Sequence, residues 1–194
     1  EKNLYIDANQ EQSHKMLGDI FRKSGDTDNA IKHYKLSTSI NPNYSKAFYS
    51  LGTLMLSNSK LDDAKIYLTK ATKIDTNYDK AYGALGKVET ELKNYDLAIK
   101  NYNLAIKINP KQFEIYYRLS SLYNEINKYE MAKESAKKCL NIKRNYSPAF
   151  FELGISEKEL GNKIAAIDAF ENAKKNKDWR KAAQFEIEMI NKGF

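Results

Sequence analysis

The stretch NPNYSKAFYSLG, residues 41–52, returns 34 residues later as DTNYDKAYGALG at 75–86. It returns again as NPKQFEIYYRLS at 109–120 and as KRNYSPAFFELG at 143–154. An unbroken interval of 34 over this much chain is the signature of a repeat array, in which one small unit stacks on copies of itself.

Numbering each unit so that the aromatic of the phrase falls at position 4 gives five full copies: 11–44, 45–78, 79–112, 113–146 and 147–180. Position 7 is then Leu17, Leu51, Leu85, Leu119 and Leu153. Position 8 is small: Gly18, Gly52, Gly86, Ser120 and Gly154. Position 20 is Ala30, Ala64, Ala98, Ala132 and Ala166. Position 24 is Tyr34, Leu68, Tyr102, Ala136 and Phe170. Position 27 is Ser37, Ala71, Ala105, Cys139 and Ala173.

Positions 4, 7 and 11 fall on one face of a first helix, and 20, 24 and 27 on one face of a second. The small residues at 8 and 20 let the two helices approach closely, and position 24 fills the remaining gap. Asp28, Asp62, Asp96 and Glu130 stand near the start of the second helix, where a carboxylate complements the helix dipole. Lys73, Lys107 and Lys175 stand near its end, where positive charge is favoured. Pro42 and Pro110 then stop that helix.

These slots resemble those of the tetratricopeptide repeat (TPR) family, and the resemblance covers nearly the whole chain. It implies an all-α fold, a right-handed α-α superhelix of antiparallel helix pairs. The expected division is one solenoid domain over 1–194, with the five repeats above as its body. Residues 1–10 read as the tail of a preceding repeat, since Ile6, Asp7 and Asn9 match Ile74, Asp75 and Asn77. Residues 181–194 read as a capping or partial-repeat helix, with Ala183, Ile187 and Ile190 at helical spacing and Glu188 in the small-residue slot. The chain is accordingly expected to be a segment of a longer protein.

Composition excludes several function classes. The formal charge of +7 suggests a polyanion partner, but the 32 basic residues hold only 4 Arg. Arg is the side chain best shaped for phosphate, and the Lys residues are spread along the chain rather than clustered. Nucleic-acid binding is therefore disfavoured. No run of apolar residues is long enough to span a membrane. No secretory signal is visible, and a cytoplasmic location is favoured over a secreted one. The single cysteine, Cys139, reads as a small buried residue rather than a reactive thiol.

No phosphate-binding loop, catalytic nucleophile motif or metal-ligand spacing is present, so neither an enzyme nor a cofactor is expected. His14 sits in the large-residue slot at position 4 and reads as packing. What is left is binding of a peptide or protein partner. The family resemblance implies a concave groove lined by first helices, mainly at positions 2, 5, 6, 9, 12 and 13. The candidate groove residues are Lys15, Tyr49, Lys87, Tyr117, Arg118, Phe151 and Ile155. Tyr and Arg are favoured interface anchors, and Ile155 is apolar at a position expected to be exposed. Gly83, between the aromatics of neighbouring repeats, leaves a notch.

The carboxylate clamp of chaperone-binding relatives is not reproduced. Lys15 and Lys80 fit it, whereas Asp19, Ser50 and Ala84 do not. The Asn ladder of sugar-transferring relatives is also missing, and the repeat length disfavours the pentatricopeptide RNA readers. The leading expectation is a protein-interaction scaffold. The alternative is a structural or self-association module of a larger assembly, through homo-oligomers or a longer repeat array.

Overall fold

The computed structural model describes residues 10–193. The reading of residues 1–9 as the tail of an earlier repeat lies outside the described residues. Eleven α-helices and no strand are found among the described residues. They divide into two compact units, one up to Ile108 and one from Asn109.

The first unit holds α1 (Gln10–Lys23), α2 (Thr27–Ile40), α3 (Ser45–Ser57), α4 (Leu61–Ile74), α5 (Asp79–Glu91) and α6 (Tyr95–Ile108). Each odd-numbered helix packs against the even-numbered helix that follows it, and α2 against α3 and α4 against α5 carry the stack onward. Odd-numbered helices also neighbour one another, α1 beside α3 and α3 beside α5. They form one face of the unit.

The slots read from the sequence hold the pairs together. Ala30, Leu51, Ala64, Leu68, Ala98 and Tyr102 are buried. A Cβ built on Gly86 would lie 2.6 Å from the Tyr102 ring, and one on Gly18 would lie 2.5 Å from the Tyr34 ring. The missing side chain is thus what admits the aromatic at position 24. One slot departs from expectation: Leu17 is 39% exposed. Its helix, α1, is packed by α2 and α3 on one side, and Met16, Leu17 and Ile20 lie outside that contact.

The second unit holds α7 (Phe113–Glu125), α8 (Tyr129–Ile142), α9 (Ser147–Glu159), α10 (Lys163–Lys174) and α11 (Arg180–Asn191). Here α7 pairs with α8 and α9 with α10, α8 joins α9, and α7 lies beside α9. The slot chemistry changes together: Ser120 replaces Gly at position 8, and Ala136 replaces the ring at position 24. The added hydroxyl is satisfied, donating to the Ala132 carbonyl at 2.8 Å. Ala183, Ile187 and Ile190 of α11 pack on Ala166, Phe170 and Ala173. Cys139 is buried, and burial pushes its thiol up to about 11.

Two features were not read from the sequence. The turn between first and second helix takes a left-handed residue at position 15 in every copy: Gly25, Ser59, Lys93, Asn127 and Gly161. Three of these five are not glycine and carry the steric cost of that conformation. Position 11, a large-residue slot, holds Glu89 and Glu157, only 3% and 6% exposed. Glu89 is met by Lys65 Nζ at 3.0 Å and by Asn94 Nδ2 at 2.8 Å. Glu157 is met by Lys137 Nζ at 3.6 Å and by Asn162 Nδ2 at 2.7 Å. These two are tolerated inside because a lysine and an asparagine satisfy each one.

Candidate functional site

In the first unit the candidate residues lie on the odd-numbered helices. Lys15 is engaged by its own helix, with Nζ 2.6 Å from Asp19 Oδ2. The second Asp19 oxygen accepts from the Tyr34 hydroxyl at 2.8 Å. Burial pushes the Asp19 carboxyl up, but the hydrogen bonds from Lys15 and Tyr34 outweigh it and leave the group below its ordinary value. Burial and Asp19 together push the Tyr34 phenol up to about 12. Lys15 is thus already neutralised by a carboxylate, which agrees with the failed match to the chaperone clamp.

Tyr49 is half-buried, and its ring is tilted against Tyr78 at 5.0 Å. Burial raises its phenol above the ordinary value. Lys87 pairs with Glu91 one turn along α5, at 3.6 Å. The notch residue Gly83 is buried, as is Ser50.

In the second unit α7 carries Tyr117 and Arg118, and α9, which lies beside it, carries Phe151 and Ile155. Tyr117 meets Tyr146 edge-on at 5.5 Å, and Phe113 meets the same ring at 5.0 Å. Lys143 Nζ lies 4.2 Å above Phe113 and 4.8 Å above Tyr146, within cation–π range. Phe151 turns its ring onto Phe170 and Trp179. Ile155, expected to be exposed, is half-buried beside the core of α10 and α11. Arg118 is half-buried and forms no ion pair among the described residues. Its charge acts on Tyr117 and Tyr146.

Sequence reasoning did not single out the polar pair that joins α7 and α9. Asn124, at position 12 of its repeat, donates from Nδ2 to the Glu152 carbonyl oxygen at 2.9 Å and to Glu152 Oε2 at 2.8 Å. Ser121, nearby, also favours the charged form of Glu152. Burial outweighs these bonds and raises the carboxyl above its ordinary value. The side-chain oxygen of Asn124, Oδ1, is buried with no hydrogen-bond partner among the described residues. The signal available in the sequence was that Ser121, Asn124 and Glu152 all fall at groove positions of consecutive repeats.

A separate cleft of ≈ 740 Å³ lies at the turn before α10, lined by Lys133, Glu157, Asn162 and Ile164 among others. Its carboxylate is already satisfied by Lys137 and Asn162, so it offers less unsatisfied chemistry than the α7 and α9 face. No group of three or more His, Cys, Asp or Glu suited to a metal occurs among the described residues. No helix among the described residues is long and apolar enough to cross a membrane.

The comparisons with known proteins follow the same lines. A family model described as "TPR repeat" matches residues 18–59 and 86–126. A second, described as "Tetratricopeptide repeat", matches 45–78 and 113–146. No curated protein matches the sequence.

Among solved structures, the MamA protein is 27% identical, with a TM-score of 0.78 over 85% of this chain and 90% of that one. A tetratricopeptide repeat protein from Parabacteroides merdae ATCC 43184 is 22% identical, with a TM-score of 0.78 over 93% of this chain and 74% of that one. YrrB, described as a TPR protein with an unusual peptide-binding site, is 15% identical, with a TM-score of 0.77 over 96% and 95%. The likeness to the last two is one of fold.

Such repeats ordinarily form non-enzymatic scaffolds for protein interaction. Five in-phase copies of the slot pattern, paired antiparallel helices at every slot and two matching family models agree, and the chain belongs to the tetratricopeptide repeat family.

Proposed function

We propose that the chain is a scaffold that binds a peptide or protein segment on the first helices of its units. In the second unit the candidate residues are Tyr117, Arg118, Phe151 and Ile155. In the first unit, taken by itself, they are Lys15, Tyr49 and Lys87. The observation that carries the reading is the state of Arg118. It is half-buried, close enough to Tyr117 and Tyr146 for its charge to act on both phenols, and has no carboxylate partner among the described residues. An unpaired arginine near tyrosine is the kind of group that anchors an interface. The peptide-binding site ascribed to YrrB, a protein of the same fold, supports the same use of the scaffold.

The test is the double substitution Tyr117→Ala and Arg118→Ala, with helicity checked by circular dichroism. Loss of peptide binding with helicity intact supports the assignment; unchanged binding refutes it. A second reading, self-association within an assembly, is favoured by the apolar side of α1. There Met16 is 63% and Ile20 60% exposed. Light scattering over a concentration series tests it, and a monomer throughout speaks against it.

A further inference from the structure

Three glutamates of the chain share one arrangement, a carboxylate accepting from an asparagine side chain. Glu89 has Asn94, Glu157 has Asn162, and Glu152 has Asn124. In the first two a lysine completes the group: Lys65 at 3.0 Å and Lys137 at 3.6 Å. In the third no cation among the described residues does. Among the described residues the hydrogen-bond partner of the Glu152 carboxylate is the neutral Asn124, with the neutral Ser121 nearby. Arg118, on the adjacent helix, acts on Tyr117 and Tyr146 instead. The Asn124 side-chain oxygen beside it also lacks a donor among the described residues. A half-buried carboxylate next to an unsatisfied acceptor is costly, and one incoming ammonium or guanidinium relieves both.

We propose that the α7 and α9 face of the second unit receives a basic side chain, Lys or Arg, from a bound peptide, with Glu152 as its counter-charge. The proposal rests on the reading of this face as a peptide-binding surface. The peptide cation takes the place that Lys65 and Lys137 hold at the other two glutamates. Tyr117, close enough for Glu152 to act on its phenol, supplies an aromatic wall for the aliphatic stem. Removing the charge from Glu152 also relieves its burial in the free protein, consistent with its carboxyl standing above the ordinary value.

The experiment uses the full 194-residue chain and three pools of N-acetylated, C-amidated peptides. Each pool has one central residue fixed as Lys, norleucine or Glu, with varied neutral flanks. Fluorescence anisotropy reads the affinity. The Lys pool is expected to bind about tenfold more tightly than the norleucine pool, the scale of a charge-assisted hydrogen bond. That advantage is expected to vanish in Glu152→Gln, which keeps the shape and an acceptor for Asn124.

A Lys pool no tighter than norleucine in the wild type overturns the proposal, and so does a preference that survives Glu152→Gln. The wild-type comparison decides the matter even where the variant folds poorly. Binding of the Glu or norleucine pool that Tyr117→Ala with Arg118→Ala abolishes leaves the peptide-binding face standing and removes only the cation. Binding by no pool overturns both.

Discussion

Asn124 on α7 and Glu152 on α9 are joined twice, through the main-chain carbonyl and the carboxylate of the same glutamate, at 2.9 and 2.8 Å. The double bond of contacts ties adjacent first helices together, and it holds a carboxyl whose burial disfavours its charge. Glu152 has an ordinary value of 4.5 and is raised in the folded chain. A raised carboxyl stabilises the fold below its unfolded value, and that contribution is lost as pH rises through the folded value. The neutral Glu152→Gln variant is therefore expected to melt above the wild type at pH 7. The difference should shrink as pH falls toward 4.5. Thermal melts across that window check it, and a variant less stable at neutral pH would show that the carboxylate stabilises the fold.

The His pair in the first unit has the opposite sign. His14 and His33 approach with their Nδ1 atoms 3.0 Å apart, so one nitrogen must be unprotonated to accept. Phe21 stacks on the other side of His33. Burial, His14 and Lys32 lower His33 from its ordinary value of 6.5. A lowered base contributes stability above its unfolded value and loses it as pH falls through the folded value. Hydrogen exchange of α1 and α2 is expected to quicken as pH drops below about 6.5, after correction for intrinsic rates. His33→Phe should remove that dependence.

Position 15 offers a stabilising substitution. Lys93 has φ of 60° and Ser59 of 58°, in a turn where Gly25 and Gly161 serve the other copies. Replacing Lys93 with Gly relieves the steric cost and forfeits some unfolded-state entropy, for a net gain of about 0.5–1 kcal/mol. Urea unfolding measures it. A loss of stability would mean that the Lys93 side chain makes compensating contacts.

The coupling of positions 8 and 24 can be isolated in a double-mutant cycle. Gly86→Ser alone forces the new Cβ against the Tyr102 ring, 2.6 Å away, and should cost about 1–3 kcal/mol. Tyr102→Ala alone leaves a cavity and should cost about 3–5 kcal/mol. The two together reproduce the Ser120 and Ala136 pair that the fourth repeat already contains. They are expected to cost less than the sum. Strict additivity would mean the slots do not communicate.

Glu89 and Lys65 test the buried carboxylates. Removing the lysine as Lys65→Met should destabilise by about 1–2 kcal/mol, below the range for a wholly buried pair because Lys65 is partly exposed. Glu89→Met with Lys65→Met should recover most of that, since Met55 fills the same slot one repeat earlier.

The helix pairs were legible because small and large residues recur at fixed positions, and close packing leaves few ways to satisfy that pattern. The left-handed turn was hidden because Ser, Lys and Asn at position 15 carry no common chemical mark; only the backbone shows what they share. The burial of Glu89 and Glu157 was hidden for a related reason. A glutamate in a large-residue slot looks solvated until the lysine and asparagine that meet it are located in space. The contacts that the candidate residues make were not legible. Lys15 and Lys87 were read as groove residues and are paired within their own helices, whereas the Asn124 and Glu152 pair depends on a contact between residues 28 apart.

The role of the first-helix face is tested most directly by amide hydrogen exchange of the 194-residue chain with and without a saturating peptide from the pool it binds. Slowed exchange in α7 and α9, with α8 and α10 unchanged, is the expected result. Protection confined to α8 and α10 would put the partner on the opposite side of the repeats and contradict the assignment.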